Sequence, residues 1–343
     1  MKKNYQNILD NLQQSEPMTQ DSRILIVDGL NLFFRNFTIN PSMNEHGVPI
    51  GGIKGFLLGV GAAIKHVNPT RVIICFDGKG GSARRRKIYP DYKAKRRPVF
   101  SAHGKSYSAD DTKVLMSQQL TRLTDYLSAL PVTVLATENI EADDAIAYIA
   151  KQVYPDSHKY IMSTDKDFLQ LVDDKCTVWS PTKKMFYFKS EVRDLFGINP
   201  ENLAILRAVL GDKSDNISGV KGVGTKTLQK AIPALFEDKT MTLSDFFSAV
   251  SNVPNPPKVC KTLIESKSVV ELNYRLMQLH DVDVSARSKE SIQNITAKTV
   301  QSLNKPQILR MLAEDAMWLV KDVDFYLRTV WSPIEAYRAW VID

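Results

Sequence analysis

Residues 24–35, ILIVDGLNLFFR, open on four apolar residues and stop at Asp28-Gly29. A short apolar run closed by a turn dipeptide reads as a strand covered on both faces, the kind a parallel sheet uses. The pattern returns along the chain. Val72 to Phe76 runs into Asp77, and Tyr160 to Met162 is followed by Asp165 and Asp167. Val132 to Leu135 precedes Glu141, Asp143 and Asp144, and the helix-like Leu203 to Leu210 precedes Asp212 and Asp215. Open parallel sheets bind ligands beyond the carboxyl ends of their strands, so these nine carboxylates are expected to converge on one patch. Such a patch repels itself unless cations neutralise it, and hard divalent ions with oxygen ligands, Mg²⁺ or Mn²⁺, are the natural counter-charge.

Taken singly, each acid has a plainer explanation. Asp-Gly is a strong turn signal, the helix dipole favours acids at an N-terminus, and Asp165 and Asp167 fit a cap. Their joint occurrence at strand ends favours a site.

The remaining charge is basic. Lys and Arg number 45 against 38 Asp and Glu, a formal net charge of +7. From Arg84 to Arg97 the run RRRKIYPDYKAKRR holds eight basic residues and one acid. Alone it would read as a solvated charged loop. Next to an acidic metal patch it reads as a phosphate-backbone contact surface, with Arg84, Arg85, Arg86, Lys93 and Arg96 as candidate DNA contacts.

Cys75, Cys176 and Cys260 are odd in number and widely spaced, which suggests neither a disulfide framework nor a zinc site and fits a reducing cytoplasm. No apolar stretch approaches the roughly 20 residues that span a bilayer, and residues 1–22 lack the apolar core of a signal peptide. A soluble protein of a reducing cytoplasm is expected.

Residues 1–21 are polar and weakly periodic, and are expected to be a mobile extension. From 22 to 180 strand-like runs alternate with helical segments such as Gly52 to His66, Lys113 to Leu130 and Ala142 to Val153, which predicts an α/β core around a parallel sheet. A basic insertion at about 79–111 interrupts it, and an insertion of that length in a compact domain is usually functional or disordered. Residues 181–240 read as mainly helical, with helices at Glu201 to Leu210 and Thr225 to Ala231 around the turn SGVKGVGTK. Its glycines permit close backbone approach to a phosphate, the following helix offers free N–H groups, and Lys221 and Lys226 add charge. The pattern is that of a helix-hairpin-helix, with Gly222 and Gly224 at the point of approach; it is not a Walker A loop. Residues 241–343 carry further helical patterns, Val270 to His280 and Lys305 to Val320 among them, and no catalytic constellation.

The segments ILIVDGLNLFFR, VIICFDG, YPDYKAKRR, EADD, STDKDFLQL and LGDKSDNISGVKGVGTKT, in this order, resemble the 5′ nuclease superfamily of flap endonucleases and 5′→3′ exonucleases. They come closest to bacteriophage 5′ nucleases and to the 5′ nuclease domain of bacterial DNA polymerase I. The resemblance covers roughly residues 22–235. It implies a free-standing, monomeric, structure-specific nuclease in the cytoplasm of a bacterial cell or phage-infected host, which hydrolyses phosphodiester bonds near 5′ ends of flapped, nicked or RNA-primed DNA during replication. Two Mg²⁺ ions, or Mn²⁺, would be bound. Asp28, Asp77, Glu141 and Asp143 would surround the first, with Asp144 close by, and Asp165, Asp167, Asp212 and Asp215 would form the second cluster. Lys93 matches the arch lysine that meets the scissile phosphate, Arg84 lies at the arch base, Tyr92 would stack on an unpaired base, and Arg35 would hold a phosphate. The carbonyls of Gly219, Val220 and Val223 would hold a monovalent cation, K⁺, bridging to duplex phosphates. A sliding clamp or single-strand-binding protein is the expected partner of the C-terminal helices. A catalytically silent branched-DNA binder and a PIN-type ribonuclease are the alternatives; all nine acids argue against the first, the basic insertion and helix-hairpin-helix against the second.

Overall fold

The computed structural model describes residues 23–94, 101–102 and 105–339. The expected N-terminal extension and Arg96 lie outside the described residues.

A six-stranded sheet forms the core, in the spatial order β3-β2-β1-β4-β5-β6. Its strands are β1 (Arg23–Asp28), β2 (Arg71–Asp77), β3 (Thr133–Thr137), β4 (His158–Met162), β5 (Cys176–Ser180) and β6 (Met185–Tyr187). The first five run parallel, and β6 pairs antiparallel with β5. The sheet therefore continues past residue 180, where the sequence pattern put the end of the α/β core. Ile24 and Ile26 face one side, Leu25 and Val27 the other, and all four are fully buried. That two-sided burial is why β1 reads as an unbroken apolar run.

Each face is covered by helices from both halves of the chain. One face packs against α1 (Gly29–Ile39), α2 (Gly51–Val67) and α4 (Ala109–Leu127), with α3 (Ala83–Ile88) lying at the base of the basic insertion. The opposite face packs against α5 (Ala142–Tyr148), the 3₁₀ turn Lys166–Leu171 and α7 (Pro200–Leu210), which follows α6 (Lys189–Phe196). Beyond α7 come α8 (Thr225–Ala231), α9 (Leu243–Ser251), α10 (Lys258–Glu265), α11 (Lys267–Met277) and α12 (Ala286–Ala297), all on that second face. The last helices, α13 (Lys305–Glu314), α14 (Val323–Tyr326) and α15 (Ser332–Ala339), return to the first face. Arg122 of α4 pairs there with Asp315 at 2.9 Å, and the Tyr326 hydroxyl donates to Leu57 O at 3.1 Å. No helix among the described residues is long and apolar enough to cross a membrane.

Candidate active site

The order of the strands reverses direction between β1 and β4, which creates a crevice at their carboxyl ends. Asp28 ends β1 there and caps α1, accepting from Asn31 N at 3.3 Å and from Ser163 Oγ at 2.8 Å. Ser163 follows β4, and its Oγ accepts in turn from Asp165 N at 3.0 Å. Asn31 Oδ1 accepts from Thr164 N and Oγ1, so hydrogen bonds stitch the two strand ends together. Asp77 ends β2 and accepts from Ala142 N at 2.7 Å, fixing the start of α5 and the acids Glu141 and Asp143 around it. Asp165 caps the 3₁₀ turn by accepting from Asp167 N at 2.9 Å. Caps and convergence therefore coincide: the same carboxylates that start the helices assemble the patch.

Burial pushes the Asp28 carboxyl up to about 7, with the charges of Asp165 and Asp77 adding to it against the Ser163 and Asn31 hydrogen bonds. Asp143 rises well above the usual carboxylate range, again through burial, opposed by Lys93, with Asp28, Asp165 and Glu141 also raising it. Asp167 rises to about 7 through burial and Asp165, opposed by Arg207, with Asp212 and Asp215 also raising it. Glu141 is the reverse case: burial works against its charge, but Arg85 and Lys93 hold it below its ordinary value. Two acidic groups thus meet at Asp165, and three of their members lack enough positive charge to ionise easily. Hard oxygen donors short of counter-charge fit a divalent cation. Among the described residues no three such side chains form a coordination set as they stand. Basic side chains engage several of the acids instead: Lys93 Nζ sits 2.6 Å from Glu141, Arg85 spans Glu141 and Asp144, and Arg207 contacts both Asp167 and Asp212.

A pH dependence follows. A carboxyl with a folded pKa near 7 and an unfolded one near 4 contributes stability at low pH that is lost as the pH rises through 7. Glu141 and Asp212, both held low, finish titrating in acid. The Tm gain on adding Mg²⁺ should be larger at pH 8 than at pH 6, by on the order of a few degrees. Equal gains at both pH values, read by calorimetry, would contradict it. The gain is the right readout, because buried His280, whose pKa is lowered, pushes metal-free stability the other way.

The base of the insertion changes three expectations. Arg85 is buried, donating to Glu141 at 2.5 Å, to both oxygens of Asp144 at 2.7 and 2.8 Å, and to Leu276 O at 2.9 Å. It is an internal anchor of α3 rather than a surface contact for DNA. Asp144 correspondingly pairs with Arg85 and Arg84, sharing the Arg85 guanidinium with Glu141. Tyr92 is 3% exposed, packed with Ile217, Leu276 and Met277, so its ring has no open face on which a base could stack. Arg86 is exposed, Arg84 and Arg35 are half-buried, and Arg84 also meets Asp283 at 3.2 Å. Lys93 lies in the left-handed region at φ 56°, donating from its backbone N–H to Asp215 O at 3.0 Å. The described base of the insertion, at Tyr89, Asp91 and Lys93, is thereby docked on the loop that carries Asp212 and Asp215.

That loop leads into the Gly-rich turn between α7 and α8. Gly211–Asp212 and Ile217–Ser218 form a two-stranded ribbon, and Gly219 lies so near Leu210 O that a Cβ would be 2.1 Å from it. Gly222 takes φ 79°, and Lys221, Gly222, Gly224 and Lys226 are exposed while Val220 and Val223 are buried. Val220 O accepts from Val223 N. Four polar residues in this framework were not read from sequence: Asn31, Ser163, Arg207 and Asn273. The buried Asn273 amide donates to Ala208 O and Ser218 O, both at 2.9 Å, closing the segment that bears Asp212 and Asp215.

Residues 23–197 match the family model described as the 5′-3′ exonuclease N-terminal resolvase-like domain, half of the chain. The chain belongs to the 5′-3′ exonuclease family. It is 29% identical over 298 residues to a 5′-3′ exonuclease of Aquifex aeolicus, covering 85% of this chain and 94% of that one. It is 31% identical over 221 residues to a 5′-3′ exonuclease of Bacillus subtilis, covering 62% and 70%. Its fold is similar to that of the bacteriophage T5 flap endonuclease in a pseudo-enzyme-product complex with DNA and metal ions. The TM-score is 0.61 at 22% identity, over 86% of this chain and 99% of that one.

Proposed function

We propose that this 5′-3′ exonuclease family member is a divalent-metal-dependent, structure-specific 5′ nuclease acting as both exonuclease and flap endonuclease. Its substrates are flapped, nicked and RNA-primed DNA met in replication, and its products carry 5′-phosphate and 3′-hydroxyl ends. The observation that supports the reading is the under-neutralised acidic cluster at the sheet's switch point, joined to the described base of the basic insertion through Lys93, which contacts Glu141 and Asp215. Asp28, Asp77, Glu141 and Asp143 would hold one Mg²⁺, and Asp165, Asp167, Asp212 and Asp215 the second, with Mn²⁺ able to substitute. When bound, two such ions supply Lewis-acid activation of water and neutralise the attacking and leaving oxygens of an in-line displacement.

The chain's own residues divide the remaining work. Arg85 and Asp144 fix α3, so Lys93 is delivered to the cluster from a rigid base. Lys93 Nζ, 2.6 Å from Glu141, would meet a scissile phosphate held at the cluster, where a preorganised cation strengthens as charge develops. Arg84, Arg86 and Arg35 flank the path of the single strand. Lys221 and Lys226, with the N–H groups around Gly222 and Gly224, grip duplex phosphates, and the carbonyls of Gly219, Val220 and Val223 would hold K⁺, which would add positive charge there.

These roles separate experimentally. Lys93→Ala should lower the single-turnover rate at saturating protein by on the order of 10²-fold while binding changes little. Lys221→Ala with Lys226→Ala should weaken duplex binding and flatten its log-log salt slope by about one to two units, with the saturated rate preserved. Both variants recovering full rate at saturation would remove Lys93 from the chemistry.

A further inference from the structure

The second acidic group already contains a cation of its own. Arg207 sits near the end of α7, in a helix otherwise apolar from Leu203 to Leu210, and its side chain is 16% exposed. One nitrogen, Nη2, contacts both Asp167, from the 3₁₀ turn after β4, and Asp212 Oδ2 at 2.5 Å, from the ribbon after α7. The Asp212 carboxylate is then fully engaged, since its Oδ1 accepts from Ser214 N at 2.6 Å, Ser214 Oγ at 2.5 Å and Asp215 N at 3.2 Å. Arg207 Nε is buried without a hydrogen-bond partner among the described residues. The guanidinium is therefore held by its two carboxylates at one end only, not locked by a full fork of donors. Lys93 differs: it arrives from the basic insertion, the element proposed above to meet DNA, whereas Arg207 projects from α7, a helix whose apolar residues pack into the core.

We propose that Arg207 is a resident counter-ion that occupies the second metal position in the DNA-free protein, so that the second divalent ion binds only by displacing it. The inference rests on the metal-dependent reading above. It makes the two positions unequal: the group around Asp28 and Asp143 takes an ion first, and the group around Asp167 and Asp212 fills later. Arg207 is a positioning residue. It keeps Asp167 and Asp212 together until the second ion arrives, and it lowers that ion's affinity because a cation must leave as another enters.

The test is Mn²⁺ titration of the full-length protein without DNA, with free Mn²⁺ counted by electron paramagnetic resonance. The wild-type protein should bind two ions, one more weakly. Arg207→Gln should tighten the weaker ion by on the order of tenfold, the affinity equivalent of one charge-assisted hydrogen bond, and lower the Tm of the metal-free protein. Arg207→Lys keeps the charge without the fork, should fall between the two, and decides the matter if the Gln variant does not fold without metal. Unchanged affinities in the folded variants, or a weaker second ion, would overturn the counter-ion role while leaving the nuclease reading intact. A wild-type protein that takes up no Mn²⁺ would overturn both.

Discussion

A chain ending at residue 300 should fail to fold, and it should lose cleavage because the nuclease core itself collapses. Ten apolar side chains between Ile308 and Ile334 are buried, among them Ile308, Met311, Tyr326, Leu327, Val330 and Trp331. They lie in the same cluster as Leu25, Val27, Val72 and Ile74, on one face of the catalytic sheet. At about 1.5–3 kcal/mol per buried side chain, their loss amounts to roughly 15–30 kcal/mol as an upper bound. Domains have a margin of about 5–15 kcal/mol. The polar ties go as well: Arg122 loses Asp315 and Glu314, and Arg71 loses its contact with Lys298 O only if the cut falls earlier. Circular dichroism and size-exclusion of the truncated chain would check this; a folded, fully active fragment would show that the last helices are dispensable. Their packing gives them a structural task that does not depend on a clamp or single-strand-binding partner.

Asp165→Asn should cut the single-turnover rate by on the order of 10²- to 10³-fold or more while DNA binding persists. Asp165 raises the pKa of Asp28, Asp143 and Asp167, so it is the electrostatic junction of both groups. Asparagine caps a turn as well as aspartate does, so the bond to Asp167 N is kept and the fold with it. What disappears is one negative charge. Metal-free stability should hold or rise as repulsion falls, and affinity for divalent ions should drop. Wild-type turnover in this variant, with calorimetry showing unchanged ion binding, would remove the acids from the mechanism.

Much of this was legible because burial and function leave opposite marks on a strand: an unbroken apolar run, then an acid. β1, β2 and β4 announce themselves that way, and α8 has the very bounds that its pattern predicts. What could not be read is the direction of a charge. In α3, six residues long, Arg84, Arg85 and Arg86 are successive, and 100° per residue decides that Arg85 points inward and Arg86 outward. No periodicity can be extracted from so short a helix. Tyr92 reads as an aromatic among cations, and only the tertiary contact with Leu276 and Met277 buries it. Arg207 did leave a signal, a single charge inside a buried apolar helix, which is affordable only with a carboxylate partner. β6, three residues long and antiparallel, was too short to register. The C-terminal helices show an apolar stripe, but a stripe does not say that the last three, α13 to α15, cross back to the other face of the sheet.

The central claim, that the acidic cluster and the docked basic insertion form a metal-dependent 5′ nuclease, is tested most directly with purified protein and a 5′-labelled flap substrate. With Mg²⁺ present, short 5′ fragments should be released at the branch point, cleavage should stop on adding EDTA, and a substrate lacking a free 5′ end should resist. Stable binding of the flap with no cleavage in Mg²⁺ or Mn²⁺, or cleavage that persists in EDTA, would contradict it.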